Sequence, residues 1–185
     1  IVGYYGYNYY KTSQEKEAQT ALYDAVFSFE ADSLNQALKG KGGNEGLLAV
    51  AEEYGSTKAG NLANLYAGIA LVNQGKYKEA IENLENFSSD DQVLGAKALC
   101  LIGDCNLELK KTSEAIEYYE KAADFKPNKF ATPGYLTKLA IAQIEAKDQK
   151  GALDTYSKIA EKYPNTNEGV MAKKYKSRIE AELGK

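Results

Sequence analysis

Small and apolar residues recur along this chain three and four positions apart, the spacing of a helix face, and the recurrence itself repeats. Within residues 96–125, Leu99, Ile102, Gly103 and Asn106 share one helix face, and Ala115, Tyr119 and Ala122 share the face of a second. The polar turn Lys110-Lys111-Thr112 separates them, and Pro127, which cannot donate to a helix ladder, ends the second. The pattern predicts a helical hairpin: Gly103 lets the second helix approach, Ala115 meets it, and the Tyr119 ring fills the space beside them. The same order is legible upstream in Ala67, Gly68, the turn at Gly75, then Ala80, Leu84 and Phe87. It returns downstream in Leu136, Leu139, Ala140, then Ala152, Tyr156 and Ile159, with Pro164 as the stop. Ala80, Ala115 and Ala152 lie 35 and 37 residues apart, so hairpins are expected over residues 61–87, 96–125 and 133–163.

The flanks are less regular. Residues 12–31 carry Ala18, Leu22, Ala25, Val26 and Phe29 on one stripe and predict a long helix. Asp32-Ser33 interrupts it, and residues 34–38 add a turn or two. The glycine-rich residues 40–46 read as a flexible insertion; a phosphate-binding loop needs a preceding strand and a Gly-Lys-Ser/Thr ending, whereas here Lys41 is followed by Gly42. Leu47, Leu48, Ala51 and Tyr54 then mark a helix ending at Gly55-Ser56-Thr57, so residues 11–60 form a long opening helix with a degenerate first hairpin. Beyond the repeats, Tyr163-Pro164-Asn165-Thr166-Asn167 stops one helix and caps the next. Met171, Tyr175, Ile179 and Leu183 lie four apart on that last helix, with lysines, Arg178, Glu180 and Glu182 around the rest. Residues 167–185 are therefore expected to be a capping helix, wet on its outer side, whose basic run from Lys173 to Arg178 is a solvated face.

In 34-residue frames starting at Asn61, Ala96 and Pro133, the small and large residues fall at positions 7, 8, 20, 24 and 27, with Pro127 and Pro164 at position 32. This resembles the tetratricopeptide repeat, with a departure at position 11 of the middle unit, where Asn106 replaces an aromatic. The resemblance implies an all-α fold, an α-solenoid of helical hairpins in a right-handed superhelix, with units over residues 61–94, 96–129 and 133–166. A single repeat cannot bury both its faces, which is why three in register matter.

Composition narrows the function. The chain has 185 residues, 44% hydrophobic and 26% charged, enough to bury a sizeable core as one domain. A net charge of −3 offers nothing to nucleic acid, which wants clustered Lys and Arg. There is no His, so the commonest general base and the commonest metal ligand are missing together. Cys100 and Cys105 sit roughly 140° apart around one helix and cannot bridge without breaking it, so they read as inert packed thiols. No nucleophile and base can be paired. The expectation is a chain that is not an enzyme, with no catalytic residue, metal, cofactor or small-molecule substrate, whose partner is another protein.

The first ten residues, with five tyrosines, are unlike the rest. They suit the water-facing end of a membrane helix, where a tyrosine ring meets the apolar side and its hydroxyl the wet one. The other reading is an ordinary tail, locally packed or loose. With the long opening helix, irregular hairpin, three repeats and Tyr-Pro-Asn-Thr before a basic last helix, the layout resembles the single-span, membrane-anchored tetratricopeptide proteins of Gram-negative bacteria. These are similar to the ancillary subunit of the Sec translocon and its periplasmic chaperone partners. That resemblance implies an inner-membrane anchor mostly outside residues 1–10, a repeat domain in the periplasm, and envelope, translocon or chaperone partners. A cytoplasmic location is the alternative, and Lys11 and Lys16, alternating with Glu15 and Glu17, do not decide orientation.

The resemblance also implies a binding face, because positions 2, 5, 9, 12 and 13 of each first helix line the concave groove of such repeats. Here these are Leu62, Leu65, Ile69, Val72 and Asn73, then Lys97, Cys100, Asp104, Leu107 and Glu108, then Gly134, Thr137, Ile141, Ile144 and Glu145. Eight of the fifteen are Leu, Ile, Val or Cys. An apolar strip of that length is not left bare in water. Two covers stay open: a helix or unfolded segment of a partner protein, or the chain itself, through the stripe Leu22, Val26, Phe29 or a second copy, in which case the protein is a purely structural subunit.

Overall fold

The computed structural model describes residues 2–184, with side chains from residue 5. Among the described residues there are ten helices and no strand: α1 (Val2–Glu30), α2 (Leu34–Lys39), α3 (Leu47–Glu53), α4 (Lys58–Asn73), α5 (Tyr77–Asn86), α6 (Gln92–Glu108), α7 (Thr112–Asp124), α8 (Thr132–Glu145), α9 (Gln149–Lys162) and α10 (Asn167–Glu182). The chain divides after Ser88 into two compact units, α1–α5 and α6–α10. The division falls in the polar stretch Ser88-Ser89-Asp90-Asp91, which has no apolar side chain to carry a core across it.

The three expected hairpins are present as α4–α5, α6–α7 and α8–α9, and each is closed by the same backbone device. The N–H of Lys76, Lys111 and Asp148 donates to the carbonyl five residues back, on Leu71, Asn106 and Gln143, at 2.8–2.9 Å. The residue before each, Gly75, Lys110 and Lys147, takes a left-handed conformation with φ of 71°, 63° and 64°. This is the Schellman arrangement, which satisfies the carbonyls left over at a helix end. Only the first of the three uses glycine for it. Starts are capped as well: Asp91 Oδ1 accepts from the Val93 and Leu94 N–H groups at 2.8 and 2.9 Å. Those two bonds, Leu94's above all, hold its carboxyl below the ordinary range.

Inside the hairpins, small residues make close approach possible. A Cβ on Gly68 would stand 2.5 Å from Leu84 Cγ, and one on Gly103 would stand 2.7 Å from Tyr119 Cδ1. Ala80, Ala115 and Ala152 are fully buried. Asn106, the departure from the repeat pattern, is buried too, and stays satisfied by donating from Nδ2 to the Ile102 carbonyl at 3.0 Å.

In the first unit α1 starts at Val2, ten residues before the expected start, because nothing between residues 2 and 12 breaks a helix. Tyr5, Tyr7, Tyr9 and Tyr10 are thus helical and exposed. Residues 40–46 form a turn closed by a bridge between Lys41 and Asn44. Gly40, Gly42 and Gly43 have positive φ, and a Cβ on Gly46 would collide with the Gly40 nitrogen and Leu38 carbonyl.

Candidate functional site

Two helices begin with the same local chemistry. Thr57 and Thr166 are the N-caps of α4 and α10. Each Oγ1 accepts from the N–H of the glycine three residues on, Gly60 at 2.9 Å and Gly169 at 3.0 Å. Each Oγ1 also donates to a tyrosine carbonyl three residues back, Tyr54 at 2.7 Å and Tyr163 at 2.9 Å. A Cβ on either glycine would collide with that same carbonyl oxygen. The shared sequence is Tyr-x-x-Thr-x-x-Gly, at residues 54–60 and 163–169. It makes α10 the counterpart of α4, the first helix of a further repeat.

The expected groove residues meet different fates. On α4, Leu65 is only 3% exposed; Leu62, Ile69 and Val72 are half-buried and Asn73 exposed. Leu65 cannot meet a partner because α4 is packed on by α1, α2, α3 and α5. The opening helix runs beside α4 in the same direction. The Lys58 N–H donates to Glu15 Oε2 at 2.8 Å, Phe29 stands edge-on to Tyr66 at 5.3 Å, and Gln74 Nε2 donates to Asn35 Oδ1 of α2 at 3.1 Å.

On α6, Cys100 is 2% exposed and part of the core of the second unit, so it too leaves the candidate surface. Burial, and then the nearby Asp104 charge, pushes the Cys100 thiol up to about 11. Cys105 is likewise buried, and pushed up to about 11 by burial first and Asp104 second. Both are protonated, unreactive thiols at neutral pH. Asp104 is half-buried and already engaged: it accepts from Tyr119 Oη at 2.8 Å and from Lys138 Nζ at 2.6 Å, tying α6, α7 and α8 together. Lys97 and Glu108 are exposed polar groups, and Leu107 is half-buried against the core.

On α8 the expected face is open. Ile141 is 50% exposed and Ile144 43%; Glu145 is exposed and Gly134 half-buried. The half-buried Thr137 spends its hydroxyl on the Pro133 carbonyl at 2.9 Å. Facing these residues is one that the groove assignment did not include, Met171 of α10, 46% exposed. Between α8 and α10 lies a cleft of about 400 Å³ lined by Thr137, Ile141, Ile144, Tyr156, Asn167, Glu168, Met171, Ala172 and Tyr175. Its floor is a stacked pair, Tyr156 and Tyr175, with ring centroids 5.2 Å apart and planes 20° apart. Burial, then the Tyr175 hydroxyl nearby, raises the Tyr156 phenol, so that ring stays neutral. The recurrence of Tyr-x-x-Thr-x-x-Gly is the signal that exposes this site in the sequence: aligned on it, Met171 stands where α4 has the groove residue Leu62.

The lining is mostly apolar, and Glu168 is its one charged residue. No group of three or more Cys, Asp or Glu placed to hold a metal occurs among the described residues.

Comparison with known proteins agrees with this geometry. Residues 65–130 and residues 135–166 each match a tetratricopeptide repeat family. No curated protein matches. Among solved structures, the nearly identical TPR-like repeats of a putative kinesin light chain from Podosopora anserina superpose with a TM-score of 0.63 at 11% identity, covering 92% of this chain and 88% of that one. The MamA protein superposes with a TM-score of 0.59 at 16% identity, covering 89% and 90%. At such identities the likeness is one of fold.

Proposed function

Since residues 65–130 and 135–166 are tetratricopeptide repeats, a fold generally used to bind proteins and not for catalysis, we propose that this protein is a non-enzymatic interaction module. The partner is a segment of another protein, held against the inner faces of α8 and α10. The observation that carries this reading is the open apolar cleft, with Ile141, Ile144 and Met171 each about half exposed around a stacked tyrosine floor. Side chains that costly to leave in water are retained where something covers them.

The test is Ile141→Asp combined with Met171→Asp in a pull-down from membranes with the full-length protein. Both residues are surface-exposed, so the melting temperature should hold while co-purifying protein is lost. A stable variant that keeps every partner would move the site elsewhere.

The same reading includes a tether. Tyr5, Tyr7, Tyr9 and Tyr10, exposed on the first turns of α1, suit a membrane–water boundary, with the repeats in the periplasm of a Gram-negative envelope and translocon or chaperone proteins as partners. No helix among the described residues is long and apolar enough to cross a membrane. Carbonate extraction of the complete gene product checks the tether. A product that washes off the membrane removes the tether and leaves the cleft untouched.

A second reading has its own observation. In the first unit α1 packs along α4 and Leu65 is shut away, as in a structural subunit that covers its own groove. Sedimentation of the Ile141→Asp/Met171→Asp variant separates the two readings, since a second copy on the cleft would be released as a change in mass.

A further inference from the structure

If the cleft binds protein, as its proposed function requires, the chemistry around it is specific enough to describe the segment that fits. Of the nine lining residues only Glu168 is charged. It lies in the first turn of α10. Glu145, exposed, immediately follows Ile144 at the end of α8. The two helices run in the same direction, because Gln149, just past the end of α8, donates to Glu182 at the end of α10. Glu168, at the start of α10, and Glu145, at the end of α8, therefore stand at opposite ends of the helix pair.

Neither carboxylate has an ion-pair partner among the described residues. Three of the nearby cations are committed to other carboxylates. Lys138 is bound to Asp104, Lys176 sits near Glu180, and Arg178 binds Glu182. Lys173 and Lys174 are exposed on α10 and do not line the cleft. The result is an apolar trough with one free carboxylate in its lining, Glu168, and a second, Glu145, on the residue that follows Ile144.

We propose that the cleft between α8 and α10 takes an amphipathic helix of a partner protein whose aliphatic side chains fill the trough and whose basic residues flank them. The aliphatic anchors displace water from Ile141, Ile144, Met171 and the Tyr156–Tyr175 floor. The flanking Lys or Arg groups pair with Glu168 and Glu145, which sets orientation and excludes acidic segments by like-charge repulsion. Glu168 also favours the start of α10 through the helix dipole, a role any acid there would serve. It explains an acid at that position but not a second one across an apolar trough.

The experiment uses the full chain and three synthetic helix-forming peptides of about 14 residues, read by fluorescence anisotropy. One has a leucine face bracketed by lysines, one has glutamates in place of the lysines, and one has serines in place of the leucines. The lysine peptide should bind at least about ten-fold more tightly than the glutamate peptide, and the serine peptide should not bind. Glu168→Lys with Glu145→Lys should reverse that preference, and 0.5 M salt should flatten it. Helical circular dichroism of the double variant checks that α10 is still folded, and Glu145→Lys alone, outside α10, should still erode the preference. Equal binding of the lysine and glutamate peptides, abolished by Ile141→Asp/Met171→Asp, would overturn the charge specificity and keep the cleft as the site. Absence of binding by all three would overturn the helix proposal, while the membrane pull-down decides the interaction reading on its own.

Discussion

The α1–α4 junction and the α8–α10 junction are built on one plan and finished differently. Both α4 and α10 start from Tyr-x-x-Thr-x-x-Gly, and both then place a buried alanine, Ala63 and Ala172, and a tyrosine, Tyr66 and Tyr175, at matching positions. In the first unit the neighbouring helix brings Phe29 edge-on to Tyr66. In the second, α8 brings Ile141 and Ile144, Tyr175 stacks instead on Tyr156 of α9, and a cleft remains. The other sides differ too. Gly68 of α4 admits Leu84 of α5, whereas the matching residue of α10 is the exposed Ser177, where no helix docks. The same local plan thus leaves α4 closed against its neighbours and α10 with a cleft on its α8 side.

The largest break in the comparison should come from the core of the second unit. Ala115→Trp forces a large ring into a helix pair already in contact and should cost about 3 kcal/mol or more. Cys100 and Cys105 report it directly. They should resist a thiol reagent at pH 8 in the native protein and react rapidly in the variant. An unchanged melting temperature would mean that the hairpin register is wrong.

Next come the paired glycines. Gly60→Ala and Gly169→Ala meet the same collision with a tyrosine carbonyl, yet their consequences should diverge. Gly60 lies buried in the first turn of α4, a helix packed on by four others, so its substitution should lower the stability of the first unit by about 2–3 kcal/mol. Gly169 starts the terminal helix, so hydrogen exchange should show α10 losing protection while α6–α9 keep theirs. Uniform loss across the second unit would contradict the view of α10 as a detachable cap.

A pH ramp sharpens the contrast because both cysteines lie in the second unit. Their thiols are pushed from an ordinary 9.0 up to about 11 in the fold. A group that holds its proton more tightly when folded adds stability below the unfolded pKa, and that stability drains as pH rises toward the folded one. The second unit should therefore weaken between about pH 9 and 11, and burial of Tyr119, which acts with the same sign, extends the loss upward. The urea midpoint should fall less between pH 8 and 10.5 in Cys100→Ala/Cys105→Ala than in the parent. An equal fall would clear the thiols of any part.

The smallest effect is at the hairpin turns. Gly75 of the first unit, and Lys110 and Lys147 of the second, occupy the same left-handed conformation. Lys110→Gly should stabilise by about 0.5–1 kcal/mol and Gly75→Lys should destabilise by a similar amount, read as opposite shifts in melting temperature.

The repeat hairpins were legible in the residues because helix periodicity and small-residue spacing are local properties. Gly103, Ala115 and Tyr119 announce their contact at positions that any stack of such hairpins shares. The extension of α1 back to Val2 was less legible, since a tyrosine-rich run without Pro is compatible with helix and tail alike. Of the candidate surface, Ile141, Ile144 and Glu145 are exposed on α8. Leu65 and Cys100 occupy equivalent frame positions and are buried, because exposure depends on which neighbours arrive.

By itself, then, the sequence determined the helices, their hairpin pairing, the absence of histidine chemistry and the apolar character of one inner face. These follow from side-chain size and from spacing within about 35 residues. Tertiary structure alone decided that the chain forms two units, that Asp104 is consumed by Tyr119 and Lys138, and that Met171 and Tyr175 of the last helix complete a trough begun by α8. The reason is physical: periodicity says which face of a helix is apolar, but only packing says whether another helix is there to cover it.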